Sequence, residues 1–301
     1  MHVVVIGGAN LDTITRTSAS AVLHTSNPGR AHRSPGGVGR NIAENLARLG
    51  VDLTFITAYA DDPAGEVVAS SLTGLPITTL RVGSPTSTGS YTAVLGADGD
   101  LVIAVADMQA IDSIGAADVA TQWLGDASWV VLDGNLGVGV LGACLEAAAE
   151  VGASVLLDPV SVAKATRLRA LPRLPVHTFT PNHDELLAFA DTDSLEVALD
   201  RAYAAGAERV WIREGAAGSL LACRDHPSVQ IPVDHTDQVA DVTGAGDAML
   251  AAYLHRLLLG DAPARAAAFG ATAARLTVEV EGAVNPRLTP DLLATTHEER
   301  R

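Results

Sequence analysis

The residues with the clearest chemical capacity form one run, Asp241-Val242-Thr243-Gly244-Ala245-Gly246-Asp247. An apolar, helix-forming stretch follows it, Ala248-Met249-Leu250-Ala251-Ala252-Tyr253-Leu254. Two glycines around one small residue at a helix start leave backbone N–H groups bare. Those donors, with the helix dipole, suit an anion, above all a phosphoryl group gaining charge during transfer. Asp247 at the helix start can take a proton from a substrate hydroxyl. The alternative is an ordinary turn with Asp247 as the helix cap.

Such a turn needs a scaffold, and the chain supplies a regular one. Val3–Ile6 is a short apolar run bounded by glycines, which predicts a strand buried in a parallel sheet. Leu53–Thr57, Trp129–Leu132, Ser154–Leu157, His177–Thr180 and Arg209–Ile212 read as further strands. Helical spacing marks Asn41–Leu49, Ala64–Leu72, Gly139–Glu150 and Leu195–Ala205, the first of them stopped by Gly50. Strand and helix alternate, so an α/β fold is expected, with a mostly parallel sheet and helices on both faces. Two segments break the rhythm. Thr13–Arg33 is polar, and Ser90–Leu95 with Leu101–Val105 predicts a β-hairpin turning at Asp98-Gly99. Together they predict a small separate β-layer. There is no internal repeat and no linker, so residues 1–301 read as a single domain, and the charged tail after Pro290 is expected to fray.

Composition narrows the function. The 301 residues carry 20 Lys+Arg against 35 Asp+Glu, a net charge of −15. That excludes a nucleic-acid groove binder, because phosphates would be repelled. It does not exclude a small anion held by backbone donors. Two distant cysteines, Cys144 and Cys223, cannot form a disulfide framework or a four-ligand zinc site. With no signal-like N-terminus and no membrane-length apolar run, a cytoplasmic protein with no membrane partner is expected. Lys164 is the only lysine.

The run Asp241–Asp247 resembles the D-x-T-G-A-G-D signature of the PfkB (ribokinase-like) sugar and nucleoside kinases. Gly36-Gly37-Val38-Gly39-Arg40-Asn41 is similar to that family's G-G-x-G-x-N pattern. Gly8-Ala9-Asn10-Leu11-Asp12 resembles its strand-end sugar motif, Pro181-Asn182-His183-Asp184-Glu185 its P-N-x-x-E, and Gly215 with Gly218 its G-x-x-G. The motifs stand in the family's order from residue 8 to residue 247. Pro35–Leu46, Asp107-Met108, Asp133-Gly134-Asn135 and Asp158-Pro159-Val160-Ser161, with Lys164 following, are similar to the pseudouridine-kinase branch. Ribokinases usually carry lysine where Val38 stands, which counts against ribose.

The resemblance implies a three-layer ribokinase-like fold whose small β-sheet, about 12–33 and 84–106, is a lid and in relatives often the dimer interface. It implies direct phosphoryl transfer from ATP to the ribose 5′-hydroxyl of a nucleoside, pseudouridine by the narrower likeness. Asp247 would accept the hydroxyl proton, and the N–H groups of Gly244, Ala245 and Gly246 would stabilise the moving charge. Asn10, Asp12, Gly36, Gly37, Asn41, Asn135 and Lys164 would bind the substrate. Asn182, Arg213, Gly215, Gly218 and Thr243 would bind nucleotide. Glu185 would orient Mg2+ through water, and Asp241 with Thr243 would lie near a monovalent cation, typically K+.

Two positions stay open. Arg213 stands where many relatives have Thr or Ser near the phosphate, and it either contacts phosphate or points to solvent. Lys164 either faces substrate or is a surface lysine that survived an arginine-rich composition. The tryptophans read as packing, Cys144 as inert, and Asp61-Asp62 as a solvated loop. The rivals are a kinase for adenosine, inosine or ribose, and a nucleoside-binding regulator without catalysis. An intact Asp247 and glycine pair argue against the regulator. Gly7-Gly8-Ala9-Asn10 fails to complete G-x-G-x-x-G, which excludes a dinucleotide-binding oxidoreductase.

Overall fold

A computed structural model describes residues 1–119 and 121–299. The strands, in chain order, are β1 His2–Ile6, β2 Asn10–Thr17, β3 Gly29–Gly36, β4 Leu53–Thr57, β5 Ile77–Arg81, β6 Gly89–Leu95 and β7 Leu101–Asp107. They continue with β8 Ala127–Asp133, β9 Ser154–Asp158, β10 Thr178–Phe179, β11 Arg209–Arg213, β12 Ser219–Cys223 and β13 Val229–Ile231. Nine of them form one sheet in the order β13-β12-β11-β10-β9-β8-β1-β4-β5. All neighbours pair in parallel from β11 to β5, whereas β12 and β13 are antiparallel additions at one edge.

The unbroken apolar run of β1 has a simple cause. Val4 and Ile6 pack in one core with the helices Val138–Val151, His183–Ala190 and Leu195–Ala205. Val3 and Val5 pack in the opposite core with Val38–Arg48, Ala245–Leu258 and Pro263–Val278. A strand covered on both faces has no polar side to display. The expected three layers follow, and the predicted strands are present. The predicted strand at His177–Thr180 shortens to Thr178–Phe179.

The second sheet has four strands in the order β3-β2-β6-β7. Asn10 to Thr17 runs antiparallel to Gly29–Gly36 and parallel to β6, and β6 and β7 form the expected hairpin. On its edge strand, Leu101, Val102, Ile103 and Val105 are exposed.

The tail departs from expectation. Pro290–Glu298 is a helix, and Thr289 caps it by accepting the Leu292 N–H at 3.1 Å. Leu293 is buried against Leu49, Phe269 and Leu276, and His297 stacks on Phe269. Apolar burial outweighs the terminal charge; residues 300–301 lie outside the described residues. No helix among the described residues is long and apolar enough to cross a membrane.

Candidate active site

The C-terminal ends of β1, β8, β9, β10 and β11 meet the helix start at Ala245 and the small sheet around one cleft of about 1120 Å³. Parallel α/β sheets place ligands at this end of their strands. Every site residue expected from the sequence lines the cleft except Gly36 and Asp241. Gly36 instead packs so tightly on the Asp12 carboxylate that a Cβ there would collide with it.

Asp247 lies in the first turn of Ala245–Leu258 and is buried. It does not cap that helix: the cap position is Gly244, and no side-chain cap bond forms. Gly244 adopts φ +74°, and a Cβ on it would collide with the Ala283 carbonyl, so the turn requires glycine. The Asp247 carboxylate accepts one hydrogen bond, from Asn41 Nδ2 at 2.8 Å. Burial and the negative charge of Asp158 push its pKa up to about 8, against the pull of Asn41 and Arg213. A carboxylate with this affinity for a proton is suited to deprotonate a hydroxyl near neutral pH.

Asn41 is oriented from behind. Arg40 Nη1 donates to its Oδ1 at 3.0 Å, which leaves Nδ2 for Asp247. Arg40 in turn forms a buried ion pair with Glu44, and Arg48 bonds the other Glu44 oxygen at 2.6 Å. Removing Glu44 would leave Arg40 buried without its partner, the costly way to break such a pair.

On β2, Asn10 Nδ2 donates to Asp12 Oδ1 at 2.5 Å. Burial raises the Asp12 pKa to about 6, opposed by Asn10 and by the nearby Arg40 charge. Across the cleft, Lys164 Nζ donates to Asn135 Oδ1. Lys164 is therefore part of the cleft wall, not a stray surface lysine, and burial lowers its pKa.

Asp133 sits beneath these loops. Its Oδ2 accepts from the N–H groups of Gly8 and Gly39, each at 2.8 Å, and its Oδ1 accepts from Asn135 N–H at 2.9 Å. One carboxylate thus ties three loops of the cleft together. Its full burial raises its pKa, and these donors act against that shift.

The residues expected on the nucleotide side form a second group. Asn182 and Glu185 build a reciprocal capping box on His183–Ala190, each bond 2.8 Å. Arg213 does not point to solvent. Its Nη1 meets Asp158 Oδ2 at 2.9 Å and its Nη2 meets Glu185 Oε2 at 3.3 Å. Burial opposes the Arg213 charge, but Asp158, Glu185 and Asp247 outweigh it and raise its pKa. Gly215, Gly218 and Thr243 also face the cleft. Asp241 lies outside it, accepting from Thr243 N–H at 2.9 Å and Gly282 N–H at 3.2 Å. Burial works to raise its pKa, yet these backbone donors prevail and keep it low.

No group of three His, Cys, Asp or Glu able to hold a metal occurs among the described residues. Glu185 beside Asp158 fits a cation met through water, since both carboxylates already share Arg213 and no closed ligand cage exists. Cys144 is buried and its thiol is pushed up to about 12, so it is inert. None of the three tryptophans lines the cleft.

Sequence reasoning assigned no role to Asp133, Asp158 or Arg40. The first two each follow an apolar strand run directly, and an acid in that place was the available signal. The wall Ile231–Val239, with Ala274 and Val278, was also missed, since it lacks any motif.

Comparison with known proteins agrees with this geometry. The family model described as pfkB family carbohydrate kinase matches residues 1–290. A pseudouridine kinase of Escherichia coli K12 is 30% identical over 298 residues, covering 96% of this chain and 94% of that protein. A ribokinase of Arabidopsis thaliana is 26% identical, covering 93% and 77%. Among solved structures, a carbohydrate kinase from Agrobacterium tumefaciens superposes with a TM-score of 0.83 at 28% identity, covering 99% of this chain and 97% of that one. The chain therefore belongs to the pfkB family of carbohydrate kinases.

Proposed function

We propose that this kinase phosphorylates the ribose 5′-hydroxyl of pseudouridine, with MgATP as donor. The observation that carries the transfer chemistry is Asp247: buried, avid for a proton, and one residue beyond the helix-start turn Gly244–Gly246. MgATP, when bound, supplies the phosphoryl group and part of the charge neutralisation. The chain supplies the rest. Asp12 and Asn10 accept and donate to the ribose hydroxyls, and Asn135 with Lys164 faces the remainder of the nucleoside. Asp247 removes the 5′-hydroxyl proton as its oxygen bonds to phosphorus, and the helix-start N–H groups stabilise the charge on the transferred group. Glu185 and Asn182 would hold the donor's Mg2+ through its water, and the ion would neutralise phosphate charge. The wall around Ile231, Val233 and Val239 gives the donor's base an apolar surface.

The small sheet acts as a lid in this reading. Its Tyr91 and Ala106, with neighbouring Met108, face the cleft, and closure would exclude water from a transfer that hydrolysis would otherwise waste. The exposed Leu101, Val102, Ile103 and Val105 suit a homodimer through this sheet, and sedimentation should give twice the 30.9 kDa chain mass. Asp241 and Thr243, with the loop at Gly282, suit a K+ site beside the cleft. Turnover with and without K+ tests that.

The pseudouridine reading is supported by the E. coli relative, by a second pseudouridine kinase from Arabidopsis thaliana at 26% identity, and by Val38 in place of lysine. ADP release measured over pseudouridine, uridine, cytidine, adenosine, inosine and ribose decides it. The highest kcat/KM should fall on pseudouridine, and a higher value on any other acceptor replaces it.

A further inference from the structure

Arg213 has more donors than its partners use. A guanidinium carries five N–H groups in a planar fork. Asp158 and Glu185 take bonds from Nη1 and Nη2, and Nε is buried with no hydrogen-bond partner. A buried donor left unmade is costly, and such atoms mark places where a further acceptor belongs.

Its position identifies the acceptor. A Cβ at Gly246 would collide with Arg213 Nη1, so the guanidinium lies directly against the helix-start turn, and a helix N-terminus suits an anion. The site also concentrates negative charge: Asp158, Glu185 and Asp247 all act on this one arginine. A triphosphate entering there needs cationic compensation, and Arg213 brings a planar charge that matches phosphate oxygens two at a time.

We propose that Arg213 is the phosphate-facing cation of the transfer site: it rests on Asp158 and Glu185 and donates to the terminal phosphoryl group of the bound triphosphate. The two carboxylates hold the guanidinium against Gly246 before nucleotide arrives, so little ordering is left to do on binding. In transfer, the 5′-oxygen forms its bond to phosphorus, the bond to the ADP oxygen breaks, and the hydroxyl proton goes to Asp247. Arg213 exchanges no proton and acts by charge alone. This rests on the kinase chemistry of the site and not on which nucleoside it accepts.

The test is calorimetric titration, without nucleoside, of Mg2+ with either ADP or a non-hydrolysable ATP analogue. Arg213→Gln should weaken the analogue by about 10- to 100-fold, the usual loss for a charge-assisted hydrogen bond, and ADP by less than about 3-fold. Turnover should fall about 10²-fold or more while KM for the nucleoside changes less than about 3-fold. Equal losses for ADP and the analogue, or no loss, would overturn the proposal and leave Arg213 a structural counter-ion. Arg213→Lys keeps the charge that Asp158 and Glu185 require, and it decides the matter if the Gln variant does not fold. It should lose analogue affinity by about 3- to 10-fold with ADP unchanged, since lysine lacks the fork; unchanged affinity for both, or an equal loss of both, counts against the proposal.

Discussion

Two carboxylates face the same cleft from different sheets, and they are held differently. Asp247 belongs to the large sheet's side, fixed in a helix whose cap, backward turn and neighbours are all packed. Asp12 belongs to the small sheet, where Asn10 is its side-chain hydrogen-bond partner. Both are raised above the usual carboxylate range, to about 8 and about 6, and burial is the largest cause in each. The difference lies in the neighbouring charges, since each also has an asparagine, Asn41 or Asn10, that lowers its pKa. Asp158 adds negative charge beside Asp247, whereas Arg40 adds positive charge near Asp12. A base needs affinity for a proton; a ligand for sugar hydroxyls needs to stay ionised. The two surroundings suit the base and the hydroxyl ligand proposed above.

The sharpest way to break this division is Asp247→Asn. It should lower kcat by between about 10² and 10⁴-fold while nucleoside affinity stays within a few-fold. Steady-state kinetics with a direct binding titration checks both halves, and near-normal turnover would remove Asp247 as the base.

The pH dependence comes next. Both groups act as anions, so protonation below each pKa removes function. The logarithm of kcat/KM for the nucleoside should rise with unit slope between about pH 6 and pH 8, level off above, and steepen below 6. In Asp12→Asn the steep limb should vanish and the upper one remain. A profile flat from pH 6 to 8 would show that Asp247 is not poised as described.

Asp12→Asn itself should raise KM by about 10- to 30-fold with a smaller change in kcat, the cost of losing charged hydrogen bonds to two hydroxyls. If kcat fell more than KM rose, Asp12 would share the chemistry and the contrast would fail.

The smallest effect is on stability. A carboxylate whose folded pKa exceeds its unfolded one stabilises the fold below the unfolded value, and that stability is lost as pH rises through the folded pKa. For Asp247 the loss runs from about pH 4 to about pH 8. Asp247→Asn removes this penalty, so it should raise Tm at pH 8 by roughly 3 °C and hardly at all at pH 4. Thermal melts at the two pH values read this directly, and a variant less stable at pH 8 would show that the ionised form is well accommodated.

Much of this was legible in the sequence, for physical reasons. The glycine-led turn and Asp247 depend on a few adjacent residues, so a local reading finds them. The alternation of strands and helices survives because each apolar run answers to burial on both faces. What escaped depends on distant partners. Ser219–Cys223 and Val229–Ile231 are short, and only antiparallel pairing, of the first with β11 and of the second with the first, makes them strands. The terminal helix looked like a loose tail because Leu293 is buried in a cluster that includes residues as distant in sequence as Leu49 and Ala248. Arg213 could not be placed because Asp158, Glu185 and Gly246 come from three separate segments.

The tie at Asp133 has an evolutionary consequence. The loops at the proposed sugar site hang from a carboxylate beneath them, and its donors are Gly8, Gly39 and Asn135, with neither Tyr91 nor Met108 among them. In the proposed reaction, cleft positions such as Tyr91 and Met108 are therefore free to change, and with them the choice of acceptor, while the reacting hydroxyl is still delivered to the same place. A lineage built this way can change its diet without relearning its chemistry.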